Sequence, residues 1–200
     1  MNTRRVVIEG LPGSGKTTHL TAFARELRLP VIPEWVEFSP QDWMSHKLFQ
    51  PFHKSNDEAK DFLALQHRSS LVLLDRHYSG TLGYAYALTK TGDVSNSTNQ
   101  SYPDQLRWYF ECRASKKLHT PDTVIVLDIH PLASLQRQSM ASQGGTMWGK
   151  EDALELMVEY YKLFYQLIEP SVSVFYVDAH RPLHEVHKDL LEILLSLQPG

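Results

Sequence analysis

Gly10-Leu-Pro-Gly-Ser-Gly-Lys-Thr17 is the most informative stretch of the 200-residue chain, because it matches the pattern G-x-x-x-x-G-K-[ST] at every fixed position. The apolar run Arg5-Val-Val-Ile-Glu9 leads into it, and apolar side chains at helical spacing follow over residues 15–29. A strand, a glycine-rich turn and a helix in this order curl the backbone around a polyphosphate and aim N–H groups at it. We therefore predict a nucleoside triphosphate site formed by Gly10, Gly13, Ser14, Gly15, Lys16, Thr17 and Thr18.

Two side chains of this loop, together with the pair Asp75-Arg76, supply the expected chemistry. Lys16 can reach the β- and γ-phosphate oxygens, and the hydroxyl of Thr17 can ligate Mg²⁺. Asp75 ends a continuous apolar run, and the carboxyl end of a buried strand faces the ligand crevice of an open α/β sheet. We expect Asp75 to hold Mg²⁺ and Arg76 to bind the acceptor or the transferred phosphoryl group.

Glu34 follows a short apolar run at 31–32, which we predict to be a second strand. A carboxylate at that strand end can orient an attacking hydroxyl or take its proton, whereas a solvated loop charge is the alternative. Arg68 and Lys54 are weaker candidates for additional positive charge near a bound phosphate. Several aromatic residues are candidates for stacking on a base, although we expect most of them in the core: Trp35, Phe38, Tyr84, Trp108 and Phe110.

Short β-branched runs alternate with longer helical patterns along the chain, which is typical of a parallel α/β sheet. We predict one doubly wound domain over residues 1–200, with a five-stranded parallel sheet and helices on both faces. The predicted strands are 5–9, 31–34, 71–75, 123–128 and 172–177, and the predicted helices are 15–29, 57–68, 81–89, 103–118, 154–168 and 182–197. Apolar residues Ala59, Phe62 and Leu65 define the expected phase of the 57–68 helix.

The composition excludes several classes of protein. A net charge of −3 argues against a broad basic face that would bind polymeric nucleic acid. No apolar run of membrane-spanning length occurs, and the single cysteine, Cys112, cannot form an internal disulfide. We expect a cytoplasmic protein with a small-molecule partner and no membrane partner.

The segment Val7-Ile-Glu-Gly-Leu-Pro-Gly-Ser-Gly-Lys-Thr-Thr18, followed by Asp75-Arg76-His77 and by Tyr84, resembles thymidylate kinase and its relative, deoxynucleoside kinase. The resemblance continues through residues 121–128 and 177–179 and covers nearly the whole chain. It implies a P-loop fold of the nucleoside monophosphate kinase type, with ATP and Mg²⁺ as cofactors. It also implies a lid at 138–150 that closes over the phosphates, a helix carrying Arg137 before the lid, and compatibility with a homodimer.

The chain departs from thymidylate kinases at two positions and from both relatives in the lid. Thymidylate kinases usually carry an Asp where this chain has Pro12, and an Arg where it has Pro33. Deoxynucleoside kinases carry a Pro-Glu-Pro-like element, which Pro33-Glu34-Trp35 resembles. Both relatives tend to have arginines in the lid, but the segment 138–149 contains none, so only Arg137 and Lys150 flank it with positive charge.

Three functions remain open at this level. The first is ATP- and Mg²⁺-dependent phosphoryl transfer to a nucleoside monophosphate or to a (deoxy)nucleoside, with Lys16, Arg76, Glu34, Arg137 and Lys150 as catalytic residues. The second is a nucleotide-binding regulatory module with weak transfer or none, which the arginine-poor lid would suit. The third is a kinase of a non-nucleotide small molecule, which would differ only in its acceptor pocket.

Overall fold

Five parallel strands form a single sheet in the order β2-β3-β1-β4-β5. The computed structural model describes residues 3–36, 49–92, 101–139 and 149–198. The strands are β1 (Arg4–Gly10), β2 (Val31–Ile32), β3 (Leu71–Asp75), β4 (Thr123–Asp128) and β5 (Ser173–Asp178). In the register of the sheet, Ile8 of β1 lies opposite Asp75 of β3 and opposite Ile125 of β4. The predicted doubly wound, five-stranded parallel sheet is confirmed.

Seven helices accompany the sheet in the described part of the chain. They are α1 (Lys16–Glu26), α2 (Phe49–Gln66), α3 (Tyr78–Thr91), α4 (Tyr102–Ala114), α5 (Pro131–Ser139), α6 (Glu151–Leu167) and α7 (Leu183–Ser196). The chain goes to one side of β1 for β2 and β3 and then crosses to the other side for β4 and β5. In such a sheet the ligand crevice opens where the strand order reverses, at the carboxyl ends of the middle strands.

The hydrophobic core lies along the three inner strands. Every residue of β3 is buried, as are most residues of β1 and β4, because helices cover both faces of the sheet. On one side α3 and α6 approach closely at Gly83, where an added Cβ would lie 2.9 Å from Cδ1 of Tyr160. That close contact sets the position of α3, whose first residues follow directly after the Asp75-Arg76 pair.

The buried face of helix α2 lies opposite the apolar face that the sequence predicts to be buried. Phe62 is 62% exposed and Leu65 is 50% exposed, so the apolar phase predicted from the sequence faces outward. The buried face is polar and recurs at helical spacing: Asn56, Asp57, Lys60 and Asp61, followed by Ala64. A polar stripe inside the molecule needs partners there. Lys60 finds them at the carboxyl end of β3, Asn56 in the segment after β2, and Asp61 at Arg5, His77 and His119.

Element boundaries differ from the predicted ones by a few residues. Helix α1 ends at Glu26, earlier than predicted, and Arg28 takes a left-handed conformation with φ of 54° before Pro30. Helix α2 extends over Phe49–Gln66, so it includes eight residues before the predicted start at 57, and Pro51 lies in the first turn of this range, where proline is tolerated. The helix carrying Arg137, which the resemblance implies, is confirmed as α5. No described helix has the length and hydropathy to cross a bilayer.

Candidate active site

The loop between β1 and α1 is wound tightly against the neighbouring strand. Gly10 has φ of 139°, and a Cβ there would lie 2.6 Å from the carbonyl oxygen of Leu127 in β4. Thr17 and Thr18 begin α1 with exposed side chains, so the positive end of the helix and its free N–H groups open to the crevice. Strand, loop and helix therefore have the arrangement that binds a polyphosphate.

Lys16 lies folded over this loop. Its Nζ donates to the carbonyl oxygens of Gly10 (3.0 Å) and Leu11 (2.9 Å), and its side chain is almost fully buried. Burial, and then the nearby positive charge of Arg76, lower the pKa of Lys16 to about 7. A phosphate oxygen is a stronger partner than either carbonyl, so Lys16 can exchange these bonds for a charge-assisted one when a nucleotide binds.

Thr17 and Asp75 meet across the crevice, as predicted. The hydroxyl of Thr17 donates to Oδ2 of Asp75 at 3.1 Å. The Asp75 carboxylate is 4% exposed, and its Oδ1 has no hydrogen-bond partner among the described residues. A hydroxyl oxygen beside a carboxylate with an unpartnered buried oxygen is a suitable donor set for Mg²⁺, which prefers oxygen ligands and retains several waters. These residues therefore fit the metal ion that the sequence predicts.

Arg76 occupies a strained turn that directs its side chain into the crevice. Its φ is 63°, a left-handed conformation that costs about 1–2 kcal/mol for a residue with a side chain. The backbone N–H of Arg76 donates to the carbonyl oxygen of Ile8 at 3.1 Å, and Nη1 donates to the carbonyl oxygen of Gly10 at 3.0 Å. The turn brings the guanidinium beside the phosphate-binding loop, while Asp75 faces Thr17.

Glu34 pairs with Arg76 across the same crevice. Its Oε1 lies 3.0 Å from Nε of Arg76, and the carboxylate is 38% exposed, so it remains open to a ligand. Burial opposes its ionisation, but Arg76, Lys16 and Lys60 outweigh burial and hold the pKa of Glu34 below its usual value. The side chain of Asn56 fixes the local backbone, since its Nδ2 donates to the carbonyl oxygen of Glu34 at 2.7 Å. Glu34 is therefore a held carboxylate and not a solvated loop charge.

Glu9 is a central acceptor that the sequence analysis did not identify as functional. It is fully buried, and its Oε1 accepts the backbone N–H of His77 and the hydroxyl of Ser79, both at 2.9 Å. Its Oε2 accepts the hydroxyl of Tyr161 at 3.0 Å and lies 3.8 Å from Nη1 of Arg76. Glu9 therefore ties the start of α3 to α6 and faces Arg76. The sequence feature that could have identified it is a carboxylate that directly follows the apolar residues 6–8 and immediately precedes the loop.

A crevice opens beside Glu34 and Arg76, on the side where the sequence predicts that the acceptor binds. Its lining is Glu34, His53, Asn56, Asp57, Lys60, Arg76, His77, Gly80, Thr81 and Tyr84. Of the aromatic candidates, Tyr84 lies in this lining, Trp35 packs on His53, and Trp108 donates to Glu58 of α2. Phe110 is 52% exposed on α4 and is not among the lining residues of this crevice, and Phe38 lies outside the described residues.

The charge around the acceptor crevice is nearly balanced. Within its lining, the cations Arg76 and Lys60 stand against the carboxylates of Glu34 and Asp57, and burial raises the pKa of Asp57 to about 6. Lys54 lies elsewhere, 5.4 Å from the centre of the Trp108 ring, and Arg68 is exposed beyond the end of α2. Neither adds positive charge to this lining.

Arg137 reaches the phosphate-binding loop from α5. Its Nη1 donates to the carbonyl oxygen of Gly13 at 3.2 Å, and its Nη2 donates to that of Ala179 at 3.1 Å. Together with Arg181 it borders a second cavity of about 570 Å³ beside the loop and the start of α1. Lys150 is exposed directly before α6. Most of the predicted lid, residues 140–148, lies outside the described residues.

Known proteins are similar to this chain in sequence and in fold. A sequence model of the thymidylate kinase family matches residues 8–190. Among curated proteins, a thymidylate kinase of Shewanella amazonensis is 25% identical over 217 residues, which cover 94% of each chain. Among solved structures, deoxyadenosine kinase from M. mycoides with bound dATP gives a TM-score of 0.76 at 19% identity, covering 95% of this chain and 98% of that one. The same kinase with dCMP and dCDP gives 0.74 at 18% identity, covering 96% and 99%.

Proposed function

The chain belongs to the thymidylate kinase family, and from this premise we propose that it transfers the γ-phosphoryl group of ATP to the 5′-hydroxyl of a nucleoside. Membership of the family makes the protein a phosphotransferase that carries out nucleotide phosphoryl transfer. We further propose that residues 1–200 act as one domain, with the segment 138–150 as its lid.

On the donor side, the loop from Gly10 to Thr18 would hold the phosphates through its backbone N–H groups and Lys16. Thr17 and Asp75 would ligate Mg²⁺, whose charge, when it is bound, neutralises the β- and γ-phosphate oxygens. Arg137 would lie beside the nucleotide in the cavity of about 570 Å³. Lys150 would contribute its charge from the far end of the lid.

On the acceptor side, the Glu34–Arg76 pair carries the proposal. Glu34 would accept a hydrogen bond from the attacking hydroxyl and orient it, because its carboxylate is ionised and held at 3.0 Å from the guanidinium. Arg76 would bridge that hydroxyl and the transferred phosphoryl group, since it also contacts the carbonyl of Gly10. Positioning and charge neutralisation would supply most of the rate, as in other phosphoryl transfers.

The balanced charge of the acceptor crevice favours a neutral nucleoside over a nucleoside monophosphate. A monophosphate dianion would approach the ionised Glu34, and among the described residues of the lining only Arg76 and Lys60 are lysine or arginine cations. The family match, whose description is thymidylate kinase, supports the monophosphate as the second candidate acceptor. A regulatory module with weak transfer is the third candidate, because the segment 138–149 contains no arginine.

An ADP-release screen tests the proposal. The acceptors are thymidine, deoxyadenosine, their monophosphates and unrelated alcohols, each with ATP and Mg²⁺, on the wild-type protein and on Glu34→Gln. We expect activity on a nucleoside and a loss of about 10²-fold or more in Glu34→Gln, the size of a general acid–base contribution. Activity confined to monophosphates and indifferent to Glu34→Gln would establish the second candidate. Tight ATP binding with only weak transfer to every acceptor would support the regulatory module.

A further inference from the structure

Lys60 is a buried cation that the sequence analysis did not identify. It lies on the polar inner face of α2 and is 1% exposed. Its Nζ donates to the carbonyl oxygens of Asp75 at 2.5 Å and of Arg76 at 2.8 Å. No carboxylate forms an ion pair with Lys60 among the described residues, so two backbone carbonyls are its direct partners.

These two carbonyls belong to the turn that separates the metal side of the crevice from the acceptor side. The turn contains the left-handed Arg76, with φ of 63°, and such a conformation persists only where its surroundings hold it. The backbone N–H of Arg76 is held by Ile8 in the neighbouring strand, and its carbonyl is held by Lys60. The turn is thus fixed on both sides of the strained residue.

A contribution to folding stability does not by itself explain why the ammonium group of Lys60 is buried at this turn. Removing a cation from water costs several kcal/mol, and apolar replacement of buried charges is often neutral or stabilising. Burial lowers the pKa of Lys60, while Asp57 and the other nearby carboxylates act in the opposite direction. A methionine would have similar volume and would avoid the cost of burying the charge, but it would leave the two carbonyls without their donor.

We propose that Lys60 is a positioning residue, whose hydrogen bonds to the carbonyls of Asp75 and Arg76 hold the turn that aims one side chain at Mg²⁺ and the other at the acceptor. The proposal rests on the function proposed above. Lys60 also borders the acceptor crevice, but the role proposed for it acts through the backbone of Asp75 and Arg76.

Lys60→Met is the direct test, with Arg5→Met as the matched control. Arg5 is also a mostly buried cation, paired with Asp61 and donating to the carbonyl oxygen of Thr120. It lies at the opposite end of β1, five residues from Gly10, which is about 16 Å along a strand. Loss of Arg5 leaves Asp61 paired with His77 and His119 and removes no donor from the turn at residues 75–76, so this variant lowers stability without removing the hydrogen bonds under test.

In Lys60→Met we expect a lower melting temperature, because two buried carbonyls lose their donor. We also expect a kcat reduced about 10²-fold, the effect of a displacement of about 1 Å in a reacting group. The Kd of Mn²⁺, a probe for Mg²⁺ titrated by electron paramagnetic resonance with a non-hydrolysable ATP analogue, should rise about tenfold. The Kd of metal-free ATP, measured by calorimetry, should stay unchanged, because the phosphate loop is untouched. Arg5→Met should lower the melting temperature and leave kcat and the Mn²⁺ Kd within about twofold.

A Lys60→Met protein with wild-type kcat and Mn²⁺ affinity, whatever its melting temperature, would overturn the inference. If that variant does not fold, Lys60→Ala, which also removes the donor but leaves room for water to hydrate the two carbonyls, is measured in the same way with the same criteria. A wild-type protein with no transfer to any acceptor would instead contradict the proposed function. The Mn²⁺ titration would then still decide whether Lys60 positions Asp75.

Discussion

Replacing Glu9 by glutamine tests whether one buried carboxylate organises the site. In the wild-type protein this group accepts hydrogen bonds from His77, Ser79 and Tyr161 and faces Arg76. Burial, and then the Glu9 carboxylate, keep the pKa of the Tyr161 hydroxyl well above its ordinary value, so the hydroxyl remains a donor. Glutamine preserves the shape, but it removes the charge and turns an N–H₂ group toward donors.

The expected cost follows from the three bonds. A hydrogen bond to a charged group contributes about 1.5–3 kcal/mol and a neutral one about 0.5–1.5, so the loss of charge costs about 1 kcal/mol for each bond. Glu9→Gln should therefore destabilise the protein by about 3 kcal/mol. At about 2–4 °C for each kcal/mol in a protein of this size, the melting temperature should fall by about 6–12 °C.

Equilibrium urea unfolding measures this cost, with Tyr161→Phe and the double variant as controls. Tyr161→Phe removes one bond to the carboxylate and should cost about 2 kcal/mol in the wild-type background. It should cost about 1 kcal/mol less when Gln is already at position 9, because the two side chains are in contact. A free energy of unfolding for Glu9→Gln within about 0.5 kcal/mol of the wild-type value, or strictly additive costs, would contradict this expectation.

Three further variants or conditions test separate parts of the site. Asp75→Asn should lower kcat by about 10²-fold or more, measured by ADP release, because the carboxylate that faces Thr17 loses its charge; unchanged kcat at low Mg²⁺ would contradict its role. The kcat/KM for ATP should fall about tenfold for each pH unit above 7, because Lys16 has a pKa of about 7 in the free protein and binds phosphate only when it is protonated. A kcat/KM that does not change from pH 6 to about pH 9 would argue against this role of Lys16. Gly10→Ala should cost about 2–5 kcal/mol in urea unfolding, because its Cβ would lie 2.6 Å from the carbonyl of Leu127 at a φ of 139°; a loss under about 1 kcal/mol would contradict the predicted clash.

The sheet and the donor loop were predictable because they depend on local patterns. The run before Gly10 and the continuous apolar segment ending at Asp75 each specify a buried strand without reference to the rest of the chain. The meeting of Thr17 with Asp75, and of Glu34 with Arg76, followed from the rule that strand ends share one edge of a sheet.

Lys60 and Glu9 could not be identified in this way. The inner face of α2 is polar and its outer face carries Phe62, so the usual relation between apolar periodicity and burial is reversed there. Lys60 bonds to backbone carbonyls of a turn 15 residues away, and backbone acceptors leave no trace in a sequence pattern. Glu9 gathers donors from α3 and α6, and the close packing of those helices appears only in three dimensions.

Product analysis by chromatography tests most directly whether the protein transfers the γ-phosphoryl group of ATP to an acceptor at the site that contains Lys16. The wild-type protein and Lys16→Ala are compared. Each protein is incubated with ATP, Mg²⁺ and a mixture of nucleosides and nucleoside monophosphates, and both ADP and phosphorylated acceptor are quantified. We expect equal amounts of ADP and phosphorylated acceptor from the wild type. In Lys16→Ala the rate of transfer should fall about 10³-fold or more, because the variant lacks the cation proposed to contact the transferred phosphate. Undiminished transfer by Lys16→Ala, or ADP without phosphorylated acceptor from the wild type, would contradict the proposed transfer at this site.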